Sequence, residues 1–274
     1  MTVLVTGARG HIARSLITRL TSAGTPFRAA SSRPEPGEFR LDLSTGEGLG
    51  PALDGVDRVL LYTQPDGIDA FLDAARDVKH IVQVSSSAVD QPDAATNSIA
   101  LRHKVVEDKL LASGLPVTVL RPGAFATNAL QWWGETIRRG STVEDANPEA
   151  RFAPIHQDDI AAVAQTLLDG GGHLGEALTL TGPESLTVRQ QVAILGEVLG
   201  REIPVARISR QEALARRPDY IPVEVMESLL DTFAASVGRP ALVSDAVRAI
   251  TGVPARTFRQ WAEDHRTEFV ARQG

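Results

Sequence analysis

Thr2-Val3-Leu4-Val5-Thr6-Gly7-Ala8-Arg9-Gly10-His11-Ile12-Ala13 is the stretch whose reading decides the fold. Val3, Leu4 and Val5 form a short aliphatic run with no helical period, the pattern of a strand buried on both faces at the centre of a parallel sheet. Gly7 and Gly10 follow at once, and Ile12, Ile17 and Leu20 then open a helical repeat. Strand, glycine turn and helix together aim backbone N–H groups and the positive end of a helix dipole at a phosphate. Gly7 permits the sharp turn, Gly10 permits close approach of a pyrophosphate, and Ala13 lets the helix lie close on the strand. Thr6, Gly7, Arg9, Gly10, His11 and Ile12 are therefore the candidate phosphate-holding positions. The rival reading is a plain structural loop.

Outward from this turn, short apolar runs alternate with helical patterns. The runs are Phe27–Ser31, Arg58–Leu61, His80–Val84 and Val117–Leu120; the helices are expected over Ile12–Ala23, Ile68–Asp77 and Ile99–Ala112. Strands separated by helices imply right-handed crossovers, hence an α/β fold with a doubly wound, Rossmann-type parallel sheet. From about Phe125 the rhythm changes, and the tail is read as a smaller, mostly helical C-terminal substrate lobe. The expected division is a dinucleotide-binding core over 1–124 and a lobe over 125–274, with returning elements within about 150–182 that complete the core, including a strand near Ala177–Leu180. Thr187–Gln190 and Ser209–Glu212 read as capping boxes that open helices. Phe258, Trp261, His265 and Phe269 are spaced for one face of a last helix, a stripe that docks the C-terminus.

Composition narrows the function. The 274 residues allow one large α/β domain with an appendage. A net charge of -6, with Lys79, Lys104 and Lys109 the only lysines, supplies no basic stripe and argues against nucleic acid. No cysteine is present, which excludes disulfides, thiolate metal sites and cysteine nucleophiles. The six histidines lack metal-ligand spacing, so no metal is expected, and no Gly-x-Ser-x-Gly elbow suggests a hydrolase. No apolar run approaches the roughly 20 residues of a membrane span, and no secretory leader is visible. A cytoplasmic protein is expected, with homodimerisation left open.

In such a sheet ligands bind beyond the carboxyl ends of the strands. The second strand ends in Ala30-Ser31-Ser32-Arg33, with a guanidinium where an NAD-preferring fold places an acid; Arg33 suits a 2′-phosphate, and so does Arg9. Both are otherwise surface charges. Tyr62, Thr63, Ser85 and Ser86 follow the next two strands and are expected to border a nicotinamide, with Gln64 and Ser87 beside them on the substrate side. Pro122 is expected to stop its strand and support the ring. Phe125, Asn128, Trp132, Trp133 and His156 are the candidate substrate contacts; an aromatic slot formed with Tyr62 competes with ordinary core packing for the two tryptophans. Asp158 or Asp159 is expected to cap a helix starting at Ile160.

Three features carry a family resemblance: the turn at 6–13 with Arg33 and Asp42, the run Leu120-Arg121-Pro122-Gly123-Ala124-Phe125 with Asn128, and Pro154–Ala161. With the tail at 256–262 they resemble the NmrA-like family, an atypical branch of the short-chain dehydrogenase/reductases, and within it the bacterial NAD(P)H:quinone oxidoreductases. The likeness covers essentially the whole chain. It implies an NADPH cofactor and places Asp42 and Leu43 at the adenine, although an Asp at a strand end is also a common turn former.

One departure matters. The wider superfamily uses a Tyr-x-x-x-Lys pair; alignment on Glu107 puts Ile99 at the tyrosine position and His103 at the lysine position. His103 is therefore the candidate catalytic residue, as a proton donor, against a structural pairing with Glu107 one turn on. Reducing a plain ketone develops an alkoxide, whose acid is about as weak as water (pKa about 15.7). A quinone instead yields a phenolate-like anion, with an acid of pKa about 10. A site without the tyrosine thus suits a small aromatic or quinone-like acceptor. A non-catalytic NADPH sensor and a tailoring enzyme of aromatic natural products stand as alternatives.

Overall fold

The computed structural model describes residues 1–170 and 172–270. In chain order its elements begin with β1 (Val3–Thr6), α1 (His11–Ser22), β2 (Phe27–Ser31), β3 (Phe39–Arg40), α2 (Leu49–Leu53) and β4 (Arg58–Tyr62). They continue with α3 (Ile68–Ala74), β5 (His80–Val84), α4 (Ser98–Ala112), β6 (Val117–Pro122), α5 (Asn128–Arg138), β7 (Val143–Asp145) and β8 (Arg151–Phe152). Then come α6 (Gln157–Leu168), β9 (Ala177–Leu180), β10 (Leu186–Thr187), α7 (Val188–Leu199), β11 (Val205–Arg207) and α8 (Arg210–Ala215). Last are α9 (Val223–Ala235), α10 (Ala246–Thr251) and α11 (Phe258–Asp264).

The chain divides into two compact units. The first takes Met1–Pro122, Gln157–Leu180 and Ala246–Val253; the second takes Gly123–His156, Thr181–Asp245 and the chain from Pro254 onward.

The first unit holds a seven-stranded parallel sheet in the order β3-β2-β1-β4-β5-β6-β9. Val3, Leu4 and Val5 are wholly buried, as a central strand covered on both faces requires. Val5 pairs with Ala29 on one side and Leu60 on the other, so the strand order reverses direction at β1 and β4. That reversal opens the crevice where open α/β sheets bind ligands. Helix α1 buries Ile12, Ala13, Leu16 and Leu20, each large aliphatic contributing roughly 1.5–3 kcal/mol. Ser15 Oγ donates to Asp158 Oδ1 at 2.7 Å, and Arg19 Nε to Gln165 Oε1 at 2.9 Å, joining α1 to α6.

Two helix boundaries differ from expectation. Helix α6 starts at Gln157, so Asp158 and Asp159 lie inside its first turn instead of capping a helix at Ile160. Carboxylates there still favour the N-terminal dipole. Helix α3 ends at Ala74, where Ala75 turns the chain and its carbonyl accepts from Val78 N at 3.0 Å.

The second unit is mostly helical around a core that includes Trp133, Ile137, Val192, Leu195, Phe258, Trp261 and Phe269. Thr187–Gln190 and Ser209–Glu212 form complete capping boxes, and Thr257–Gln260 makes a third. The last helix stops at Asp264, and a 3₁₀ turn over Arg266–Phe269 follows. The aromatic stripe survives the break: Trp261 stacks on Phe258 at 5.2 Å and on His265 at 4.8 Å, and meets Phe269 edge-on at 6.0 Å. Among the described residues no helix is long and apolar enough to cross a membrane.

Candidate functional site

The glycine turn sits at the carboxyl end of β1. Thr6 is fully buried; its hydroxyl donates to Leu60 O and accepts from Tyr62 N, both at 2.9 Å, stapling β1 to β4. The Thr6 side chain is therefore structural. Gly7 has φ +61°, a left-handed conformation that strains any residue with a Cβ, and Tyr62 packs against it. Gly10 N donates to Gly7 O at 2.8 Å, and a Cβ at Gly10 would press to 3.3 Å of that same oxygen. Gly10 is also the N-cap of α1, so no side chain caps the helix, and no acid lies in its first turn. An uncapped, acid-free helix N-terminus beside two glycines fits an anion such as a pyrophosphate. His11 is exposed, whereas the Ile12 side chain is buried and only its backbone serves the turn.

Two guanidiniums flank this turn. Arg9 Nη1 donates to Arg33 O at 3.1 Å and Arg9 Nη2 pairs with Glu35 at 3.3 Å. The exposed Arg33 guanidinium makes no hydrogen bond or ion pair among the described residues, so it is free to meet a phosphate. Asp42 is engaged locally: Oδ1 accepts from Ser44 N at 2.9 Å and Ser44 Oγ at 2.6 Å, which holds its carboxyl below the usual range. Its neighbour Leu43 lines a shallow recess with Tyr62, Gln64, Ile68 and Phe71. Gly67 makes that corner fit, since a Cβ on it would fall 1.8 Å from Leu43 O.

At the ends of β5 and β6 the expected His103–Glu107 pair gives way to another arrangement. Glu107, 1% exposed, accepts from Ser85 Oγ and takes Nε and Nη2 of Arg121, the Nε bond being 3.1 Å. Arg121 Nη1 reaches Asp90 at 2.5 Å. A guanidinium wins over an imidazole because it is always charged and meets a carboxylate with two parallel bonds. Ser85 thus gives its hydroxyl proton to a buried carboxylate of the fold. Ser86 caps the following 3₁₀ turn by accepting from Ala88 N, and Ser87 begins that turn. Gln64 accepts from Arg102 at 3.5 Å.

His103 turns to Thr63 instead, with Nδ1 to Oγ1 at 3.2 Å. Burial lowers its pKa to about 4, against the opposing pull of Glu107. Pro122 closes β6, paired with Leu180.

In the second unit Phe125, Asn128, Trp132 and Trp133 do come together. With Ala124, Ala129, Phe152, Pro154, Val188 and Gln191 they line a recess of about 270 Å³ whose interior has room for about one water. Trp133, 4% exposed, is a core residue, whereas the half-buried Trp132 packs edge-on to Phe233 at 5.3 Å. Packing therefore accounts for Trp133. His156 lies outside this recess, with Nε2 3.3 Å from Asp264 Oδ2. No cluster of His, Cys, Asp and Glu suited to a metal occurs among the described residues.

Sheet topology, crevice and glycine turn define a Rossmann-type dinucleotide-binding fold. A family model described as NAD(P)H-binding matches residues 7–170, and the chain belongs to that family. It is 36% identical to a (4-alkanoyl-5-oxo-2,5-dihydrofuran-3-yl)methyl phosphate reductase of Streptomyces griseus, over 98% of this chain and 99% of that protein. It is 29% identical to an NAD(P)H azoreductase of Xenophilus azovorans, over 98% and 99%. In fold it is similar to an Escherichia coli NADPH-dependent quinone oxidoreductase complexed with NADPH: TM-score 0.80, 22% identity, 96% of this chain and 99% of that one. The protein is accordingly an NAD(P)H-binding oxidoreductase.

Proposed function

We propose that this oxidoreductase uses NADPH to reduce a quinone-like or otherwise conjugated acceptor. One observation carries the reading: a guanidinium without a partner among the described residues, Arg33, stands beside the turn of Gly7 and Gly10 with its uncapped helix, where a 2′-phosphorylated dinucleotide would be told from the plain form. The N–H groups of the turn would hold the pyrophosphate and Arg33, with Arg9, the 2′-phosphate. When bound, NADPH supplies a hydride.

The chain's own residues orient the dinucleotide and do little acid–base work. Ile99 holds no proton, Ser85 is bonded to Glu107, and His103 is neutral at pH 7. Acceptors whose reduced anion is already weakly basic suit such a site. The relatives named for an azo and an unsaturated lactone reduction are consistent with an activated acceptor, and Phe125, Asn128 and Trp132 are the candidate contacts. The test is loss of NADPH absorbance with menadione, an azo dye and a plain ketone. Turnover of either conjugated acceptor with none of the ketone supports the reading. Tight NADPH binding without turnover of any acceptor would favour the sensor instead.

A further inference from the structure

The ends of β4 and β5 hold a hydrogen-bond chain that decides which nitrogen of His103 carries its proton. The Thr63 hydroxyl has one proton and two lone pairs. Its proton goes to Val84 O, at 2.8 Å, and one lone pair takes Gln83 Nε2, at 3.1 Å. The remaining lone pair faces His103 Nδ1 at 3.2 Å, a contact that is a hydrogen bond only when Nδ1 is protonated. Turning the Gln83 amide over would set Oε1 against the Thr63 oxygen and draw the hydroxyl proton away from Val84 O. Gln83 is fully buried and, in the orientation that donates to Thr63, its Oε1 has no partner among the described residues. The charges near His103, Arg102 and Glu107, both lie on α4. The strand side contributes uncharged Thr63 and Gln83.

We propose that Thr63, held by Gln83, fixes His103 as the neutral tautomer protonated on Nδ1, making Nε2 a hydrogen-bond acceptor for an O–H or N–H donor of the ligand bound at this strand edge. The inference rests on the proposed cofactor reading for its ligand half only. It makes Thr63 the positioning residue and His103 a ligand contact, and it reverses the expectation of a proton donor, since Nε2 of that tautomer has no proton to give. Its Nε2 makes no hydrogen bond among the described residues, and the edge where it sits is the ligand edge of the sheet. Two sources carry the required chemistry: the hydroxyls or carboxamide of the dinucleotide, and the hydroxyl of a reduced acceptor.

The experiment is a long-range ¹H–¹⁵N correlation spectrum of the full chain labelled in its histidines, with His103→Leu identifying the signal. In the free protein at pH 7 the Nδ1–H pattern is expected; an Nε2–H pattern overturns the proposal. Thr63→Val, checked for folding by its melting curve, should mix the tautomers, and an unchanged pattern removes Thr63 from the role. NADP⁺ is then added, followed by menadiol under nitrogen. Movement of the Nε2 resonance with NADP⁺ identifies the dinucleotide as donor, and movement only with menadiol identifies the reduced acceptor. A resonance unmoved by both, with tryptophan fluorescence showing both bound, overturns the ligand half. Failure of NADP⁺ to bind at all overturns the cofactor reading and the ligand half with it, while the tautomer of the free protein is decided separately. As a second readout, His103→Leu should lower kcat/KM with menadione about tenfold, the size of one lost hydrogen bond, and His103→Gln, which keeps an acceptor oxygen, should restore most of it.

Discussion

At the same edge of one sheet, the end of β1 and the ends of β5 and β6 treat their polar groups in opposite ways. At β1 the helix behind the turn has no capping side chain and Arg33 has no partner among the described residues. At β5 and β6, Ser85, Glu107, Arg121 and Asp90 bond to one another and leave little for a ligand. Unpaired donors are tolerated where water or an anion can reach them; a buried carboxylate is tolerated only when paired. The difference separates a binding surface from a brace, although both are rows of polar residues after a strand.

The sharpest way to break that contrast is Glu107→Leu. It strands a half-buried guanidinium and a serine hydroxyl, and should cost about 3–5 kcal/mol of stability in a urea melt. A loss below about 1 kcal/mol would show that the cluster is no brace.

At the other end, Arg33→Ala should weaken NADPH binding about 10- to 100-fold, the range for a charge-assisted bond of about 1.5–3 kcal/mol. NADH affinity should hardly change, and stability should stay within about 0.5 kcal/mol. Equal losses for both coenzymes would remove Arg33 from the 2′-phosphate.

A smaller effect is expected with pH. The folded pKa of His103, about 4, lies below its ordinary value of 6.5, so between them the unfolded chain binds more protons. Stability is then complete above about pH 6.5 and falls as the pH drops toward 4. Buried His80 is shifted the same way, so the contribution of His103 is the difference between the wild-type and His103→Leu curves. Asp57, lowered to about 2 chiefly by its bond to Lys79, acts below that window, losing its contribution as the pH falls from 3.8 through 2. Coincident curves would refute the shift at His103. The least effect belongs to Arg9→Ala, whose exposed pair with Glu35 should be worth no more than about 1 kcal/mol in the same melt.

The sheet was legible because its strands are short, largely apolar runs and the glycine turn follows the first of them directly. Strand β3 and helix α2 escaped notice, being two and five residues long and too short to show a period. The return of Ala246–Val253 to the sheet unit depends on tertiary packing and leaves no local mark. The partner of Glu107 was misread because spacing along a helix favoured His103, whereas Arg121 comes from a strand fourteen positions away. The Thr63 chain did leave a signal: Gln83 is a polar residue inside the apolar strand His80–Val84, and a buried polar residue there demands a partner. Trp132 and Trp133 are adjacent in sequence, yet only their packing separates the core residue from the half-exposed one.

Gly67 bears on attempts to re-engineer the coenzyme preference. Because Leu43 O occupies the space a methyl group would need, position 67 and the Asp42–Leu43 corner can only change together. A library that varies position 67 while keeping the Asp42–Leu43 corner would lose its members to that collision before specificity entered. Position 33, whose exposed side chain makes no hydrogen bond or ion pair among the described residues, is the place to begin.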